Sequence, residues 1–117
     1  MASLVLDASA VVRIIEGVEP SAPFQEAVLQ AGLVLALAQI LTEVANALWR
    51  LQRGGQLEAD GLQRRLSRAA ELVVVIEPDR HLQLEALALA CHLDHPVYDC
   101  LYLALARREA AALLTAN

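Results

Sequence analysis

Ser3-Leu4-Val5-Leu6-Asp7-Ala8-Ser9-Ala10-Val11-Val12-Arg13-Ile14-Ile15-Glu16 sets two periodicities back to back. Ser3 to Leu6 is a short apolar run closed by an acid, and from Ala8 to Glu16 the apolar spacing becomes helical. A strand with no polar face belongs in a sheet covered on both sides, and a helix directly after it starts a β-α-β crossover. Gly17, Pro20 and Pro23 then predict a loop.

The same alternation continues down the chain. Phe24 to Ala31 predicts a helix closed by Gly32, and Leu33-Val34-Leu35-Ala36 a second fully apolar strand. From Thr42 to Arg53, Val44, Ala47, Leu48 and Leu51 mark a buried helix face, with Glu43, Asn46, Arg50 and Arg53 opposite and Gly54-Gly55 as the stop. A further helix, about Glu58 to Ala70, carries Arg64, Arg65 and Arg68. Leu72 to Ile76 reads as a β-branched strand ended by Pro78. Asp79 is the expected N-cap of a helix to Leu93 that His95-Pro96 breaks. Asp99 opens another helix, with Tyr98, Leu101, Tyr102 and Leu105 on one face, and Ala112 to Thr115 forms a last strand. Strands alternating with helices predict a single α/β domain over 1–117: a three-layer α/β/α sandwich around a central parallel sheet.

Composition narrows the function classes. The chain has 117 residues, 57% of them hydrophobic but 3% aromatic, so Ala, Leu and Val must fill the core and few rings remain to read bases. The net charge of −5 argues against a protein that binds nucleic acid through charge alone. All nine basic residues are arginine. The longest nearly unbroken apolar stretch, Leu33 to Leu41 with Gln39 inside it, is far short of the roughly 20 residues of a membrane helix. The N-terminus lacks the basic start of a secretory signal, so a cytoplasmic protein is expected, with Cys91 and Cys100 as reduced core thiols.

Three acids stand where an open α/β sheet places its ligand crevice, at the carboxyl ends of strands. Asp7 follows the first strand, Glu43 lies in the first turn after the second, and Asp99 opens the helix before the last. Hard oxygen donors converging there suit Mg²⁺ or Mn²⁺, although each acid taken alone is better explained by capping a helix, and it is the combination of three that points to a metal. Receiver domains and haloacid-dehalogenase-like phosphatases also place an acid after their first strand. Both need a lysine, and this chain has none. No GxGxxG or Gly-Lys-Thr/Ser phosphate loop occurs.

Leu4-Val5-Leu6-Asp7-Ala8-Ser9-Ala10, Leu41-Thr42-Glu43-Val44-Ala45-Asn46-Ala47-Leu48, Pro96-Val97-Tyr98-Asp99-Cys100-Leu101-Tyr102-Leu103-Ala104-Leu105-Ala106 and Leu114-Thr115-Ala116-Asn117 together resemble the PIN domain in order and spacing. The likeness runs over nearly the whole chain and is nearest to the VapC-type toxins of toxin-antitoxin pairs. It implies a Mg²⁺- or Mn²⁺-dependent endoribonuclease with Asp7, Glu43 and Asp99 as the acidic core. Ser9, Asn46 and Thr115 would be supporting polar residues, and the products would carry 5′-phosphate and 3′-hydroxyl ends. It also implies a homodimer and a cognate antitoxin. Asn117 departs from the pattern, standing where the family often has a fourth acid; an amide can coordinate a metal but brings no charge. Relatives usually continue beyond this point, so a shortened C-terminus is expected. Arg50 and Arg53 share the Glu43 face and are candidate RNA phosphate contacts, and Trp49, at the border of that stripe, is expected in the core or at a dimer or antitoxin interface. His92 and His95 fit no standard zinc spacing. The alternative to an enzyme is a PIN-like interaction module that has lost catalysis.

Overall fold

The structure is a computed structural model and describes residues 2–16 and 22–116. Along the chain it forms β1 (Ser3–Leu6), α1 (Ala8–Glu16), α2 (Ala22–Gln30), β2 (Leu33–Leu37), α3 (Ile40–Arg53), α4 (Leu62–Leu72), β3 (Val75–Glu77), α5 (Gln83–Leu93), α6 (Val97–Arg108) and β4 (Ala112–Leu114). The strands make one parallel sheet in the order β3-β2-β1-β4, with Val5 level with Leu35 on one side and Leu113 on the other.

That order explains the layers. The chain steps from β1 to β2 to β3 in one direction and then returns across the sheet to β4. Right-handed crossovers therefore put α1, α3 and α4 on one face and α5 and α6 on the other. The contacts agree, with α1, α3 and α4 packed on one another while α6 lies against β1, β2 and β4 and α5 packs on α6. Val5, Leu6, Leu35 and Leu37 are buried on the strands, joined by Val11, Ile40 and Val44 from one layer and Cys100, Leu101 and Leu105 from the other. Each buried leucine or isoleucine contributes roughly 1.5–3 kcal/mol, which is how a core poor in aromatic residues holds. No helix among the described residues is long and apolar enough to cross a membrane.

Several boundaries differ from the sequence expectation. Leu72 ends α4 instead of starting a strand, because Leu62, Leu66, Ala69 and Val73 keep helical spacing against the core. The strand shrinks to Val75–Glu77 at the sheet edge, where Val74 is 70% exposed and β branching finds nothing to pack on. α4 begins at Leu62, after Gly61 turns at φ 107. Asp79 does not cap α5: its carbonyl accepts the Leu82 N–H at 2.8 Å in a turn that delays the helix to Gln83. Pro23 lies in the first turn of α2, where its missing N–H costs nothing, and Gly17 and Pro20 lie outside the described residues. Of the two free cysteines only Cys100 is in the core; Cys91 is exposed.

Candidate active site

The reversal of strand order lies between β1 and β4, and the residues just past their carboxyl ends define a crevice. Asp7 leaves β1 and caps α1, its Oδ1 accepting the Ala10 N–H at 3.0 Å. The same oxygen accepts the Ser9 hydroxyl at 2.6 Å. Ser9 Oγ in turn accepts the Ala116 N–H at 2.9 Å and lies 3.2 Å from Thr115 Oγ1. Since the Ser9 proton goes to Asp7, Thr115 is the donor in that pair. Ser9 thus ties the start of α1 to the exit of β4 and fixes the Asp7 carboxylate.

Glu43 is in the first turn of α3 and accepts a short hydrogen bond from the Tyr102 hydroxyl of α6. Burial raises the Glu43 carboxyl above its ordinary range, the Tyr102 hydrogen bond opposes this, and the negative charges of Asp7 and Asp99 add to the rise. Tyr102 is 3% exposed, and burial, then its bond to Glu43, then the three carboxylates keep its hydroxyl protonated far above the usual range. Asp99, in the first turn of α6, is half-exposed, and His95 Nε2 lies 3.0 Å from its Oδ2.

The acids therefore share one edge and act on one another electrostatically. Asp7, Asp99, His95 and Thr115 line a cleft of about 300 Å³. Ser9, Ala116, Glu43, Asn46, Arg50 and Arg13 border a neighbouring open cleft of about 540 Å³. Three hard oxygen donors at one edge whose negative charges oppose one another are the chemistry a divalent cation relieves. Among the described residues, however, no group of three or more His, Cys, Asp or Glu stands close enough to hold a metal, so the acids face the same edge without forming a closed shell. Asn117 lies outside the described residues.

Of the two proposed phosphate contacts, Arg50 reaches the cleft, while the Arg53 guanidinium lies 5.3 Å from the centroid of the Trp49 ring. Tyr102, His95 and Arg13 were not among the sequence candidates. His95 was legible as an i, i+4 partner of Asp99. The only hint for Tyr102 was that a phenol on a buried face needs an acceptor. Arg13 gave no signal on α1; its guanidinium sits 5.8 Å from the Phe24 ring centroid, held at the cleft by a residue of α2.

This sheet order with acids at its switch point is the architecture of a PIN domain, and the PIN-domain family model matches residues 4–117. The chain belongs to the PIN-domain family. Ribonuclease VapC3 of Pyrobaculum aerophilum is 34% identical over 114 residues, which span 96% of this chain and 87% of the relative. The chain is thus a homologue of VapC-type proteins. The crystal structure of PAE2754 from Pyrobaculum aerophilum superposes with a TM-score of 0.75 at 23% identity, covering 99% of this chain and 75% of that one. Mycobacterium tuberculosis VapC20, a sarcin-ricin loop cleaving toxin, superposes with a TM-score of 0.69 at 16% identity, covering 97% and 91%. Both likenesses show the fold.

Proposed function

We propose that this protein is a metal-dependent endoribonuclease, the toxin of a toxin-antitoxin pair acting in the cytoplasm, with Asp7, Glu43 and Asp99 as the ligand set for Mg²⁺ or Mn²⁺. The observation that carries the reading is the placement of Asp7 after β1, Glu43 in the first turn of α3 and Asp99 in the first turn of α6, lining adjoining clefts at the carboxyl edge of one sheet. A bound divalent ion there would polarise a phosphate oxygen and lower the pKa of a water for in-line attack.

The protein's own residues prepare that chemistry. Ser9 and the Ala10 N–H hold Asp7 in one rotamer, Tyr102 keeps Glu43 pointed at the edge, and Arg50 offers a forked donor set to a backbone phosphate. Asn46 lines the Arg50 cleft and Thr115 the Asp7 cleft, so both serve as supporting polar residues. The relative's name, a VapC ribonuclease, supports RNA as substrate and an antitoxin as partner. Self-association is supported by α5, which leaves Leu84 83% and Leu87 53% exposed on its outer side.

The absence of a closed metal group among the described residues favours the second reading, an inactive PIN-like interaction module. One experiment separates them. Mn²⁺ titration by calorimetry should show binding that Asp7→Asn and Asp99→Asn each abolish, and RNA cleavage should require Mn²⁺ or Mg²⁺ and the same residues. Cleavage that persists in EDTA, or full activity in Asp99→Asn, would overturn the ligand assignment; no Mn²⁺ binding and no cleavage would establish the module.

A further inference from the structure

The solvent face of α3 beyond Glu43 carries more than the phosphate contact given to Arg50: Trp49 and Arg53 have no part in the chemistry above. Asn46, Trp49, Arg50 and Arg53 fall at i, i+3, i+4 and i+7, and all four are exposed, so they form one continuous stripe down the helix. Arg50 lies about 10 Å along the helix axis from Glu43 and almost directly below it, at 1.5 Å and 100° per residue. The stripe thus starts at the acids and leads away from them.

Its composition is unusual for this chain. Trp49 is the sole tryptophan in a protein with 3% aromatic residues, and it is 50% exposed even with the Arg53 guanidinium carbon over its ring, 5.3 Å from the centroid. Glu43 is the only acid on α3. Among the described residues the arginine ion pairs engage Arg107 and Arg108, so Arg50 and Arg53 face solvent with their charge unneutralised. Arg64 and Arg68, also exposed, follow on α4, which packs beside α3. A chain of net charge −5 therefore presents Arg50 and Arg53 on one helix face that leads away from its acidic edge.

We infer that this stripe is a binding track for the single-stranded RNA flanking the scissile bond, with Arg50 taking a backbone phosphate and the Trp49–Arg53 stack forming a platform for a nucleobase. The inference rests on the ribonuclease reading. A phosphate needs the forked guanidinium, and a base presents a π-face that stacks on indole or guanidinium regardless of its sequence. The stripe sets an amide and two guanidinium groups around the tryptophan, so it offers little to an apolar partner helix. An acidic protein segment is the competing occupant, and the test is chosen to separate it.

Because Trp49 is the only tryptophan, its emission reports directly on the stripe. The full chain in EDTA, where the ribonuclease reading allows no cleavage, is titrated with an adenylate hexaribonucleotide at low salt. Saturable quenching is expected. By anisotropy of the labelled hexamer, Trp49→Leu should weaken binding about tenfold, and Trp49→Phe should recover most of that loss. Arg50→Gln should reduce the slope of log affinity against log salt by about one. Binding that leaves the emission and the Trp49→Leu affinity unchanged, or no binding at all, overturns the inference. So does equal quenching by an abasic hexamer of ribose phosphates, which would mean phosphate contact alone, or by hexaglutamate, which would mean an acidic segment. The two readings fail separately. Mn²⁺-dependent cleavage with unaltered KM in Trp49→Leu and Arg50→Gln removes the track and keeps the ribonuclease. Quenching by RNA without cleavage in any metal keeps the track and removes the ribonuclease.

Discussion

Replacing Tyr102 by Phe removes one oxygen from a residue that is 3% exposed and leaves the Glu43 carboxylate without its donor. A hydrogen bond to a charged group contributes about 1.5–3 kcal/mol, and because Glu43 is half-buried, water replaces part of it; a loss of about 1.5 kcal/mol near pH 7.5 is expected. For a domain of this size that lowers Tm by about 6 °C. The pH dependence carries the specific test. The folded Glu43 pKa lies above its ordinary value of 4.5, so the folded chain holds that proton more tightly. The resulting stability is fully present below about pH 4.5 and is lost as pH rises through the folded value. The Tyr102 hydroxyl favours the anion and limits that loss. Without it the folded pKa rises further, so the penalty of Tyr102→Phe should be small in acid, grow toward neutrality and then level off. Denaturation followed by circular dichroism from pH 4 to 8, in EDTA, measures it. A loss that is constant across this range, or a Phe variant as stable as the parent at pH 7.5, would refute the role given to the hydroxyl.

Ser9→Ala should cost about 2 kcal/mol and speed amide hydrogen exchange at Ala116, because one hydroxyl joins Asp7, Thr115 and that N–H; an unchanged exchange rate would contradict the tie. Mn²⁺ at 100 times its Kd should stabilise the protein by about 2.7 kcal/mol through mass action, an effect that EDTA reverses and Asp99→Asn abolishes in a melting series. A thiol reagent should label Cys91 in the folded state and reach Cys100 only on unfolding, since burial shields the second thiol and pushes its pKa up, with the charge of Asp99 adding to the rise. Equal labelling rates in native buffer would contradict that burial.

The first β-α unit was legible to the residue. Leu4, Val5 and Leu6 have no polar face, and the helical spacing begins at once after an acid that caps it, so local periodicity and capping chemistry agree. The parallel sheet and the three acids at its edge followed from the same local logic repeated. Where local signals conflict, tertiary structure decided. Val73 to Ile76 has strand propensity, but core contacts of α4 and the lack of a second neighbour at the sheet edge reduced β3 to three residues. α5 is apolar on most sides, so spacing could not say which side faces α6, and packing left Leu84 and Leu87 in solvent. The pairing of Tyr102 with Glu43 joins residues 59 apart, and it exists only because the crossovers put α3 and α6 at the same sheet edge. Residue type and period are local properties and can be read along the chain. Strand order and the partner of a buried hydroxyl depend on how distant elements share one core, and only folding sets them.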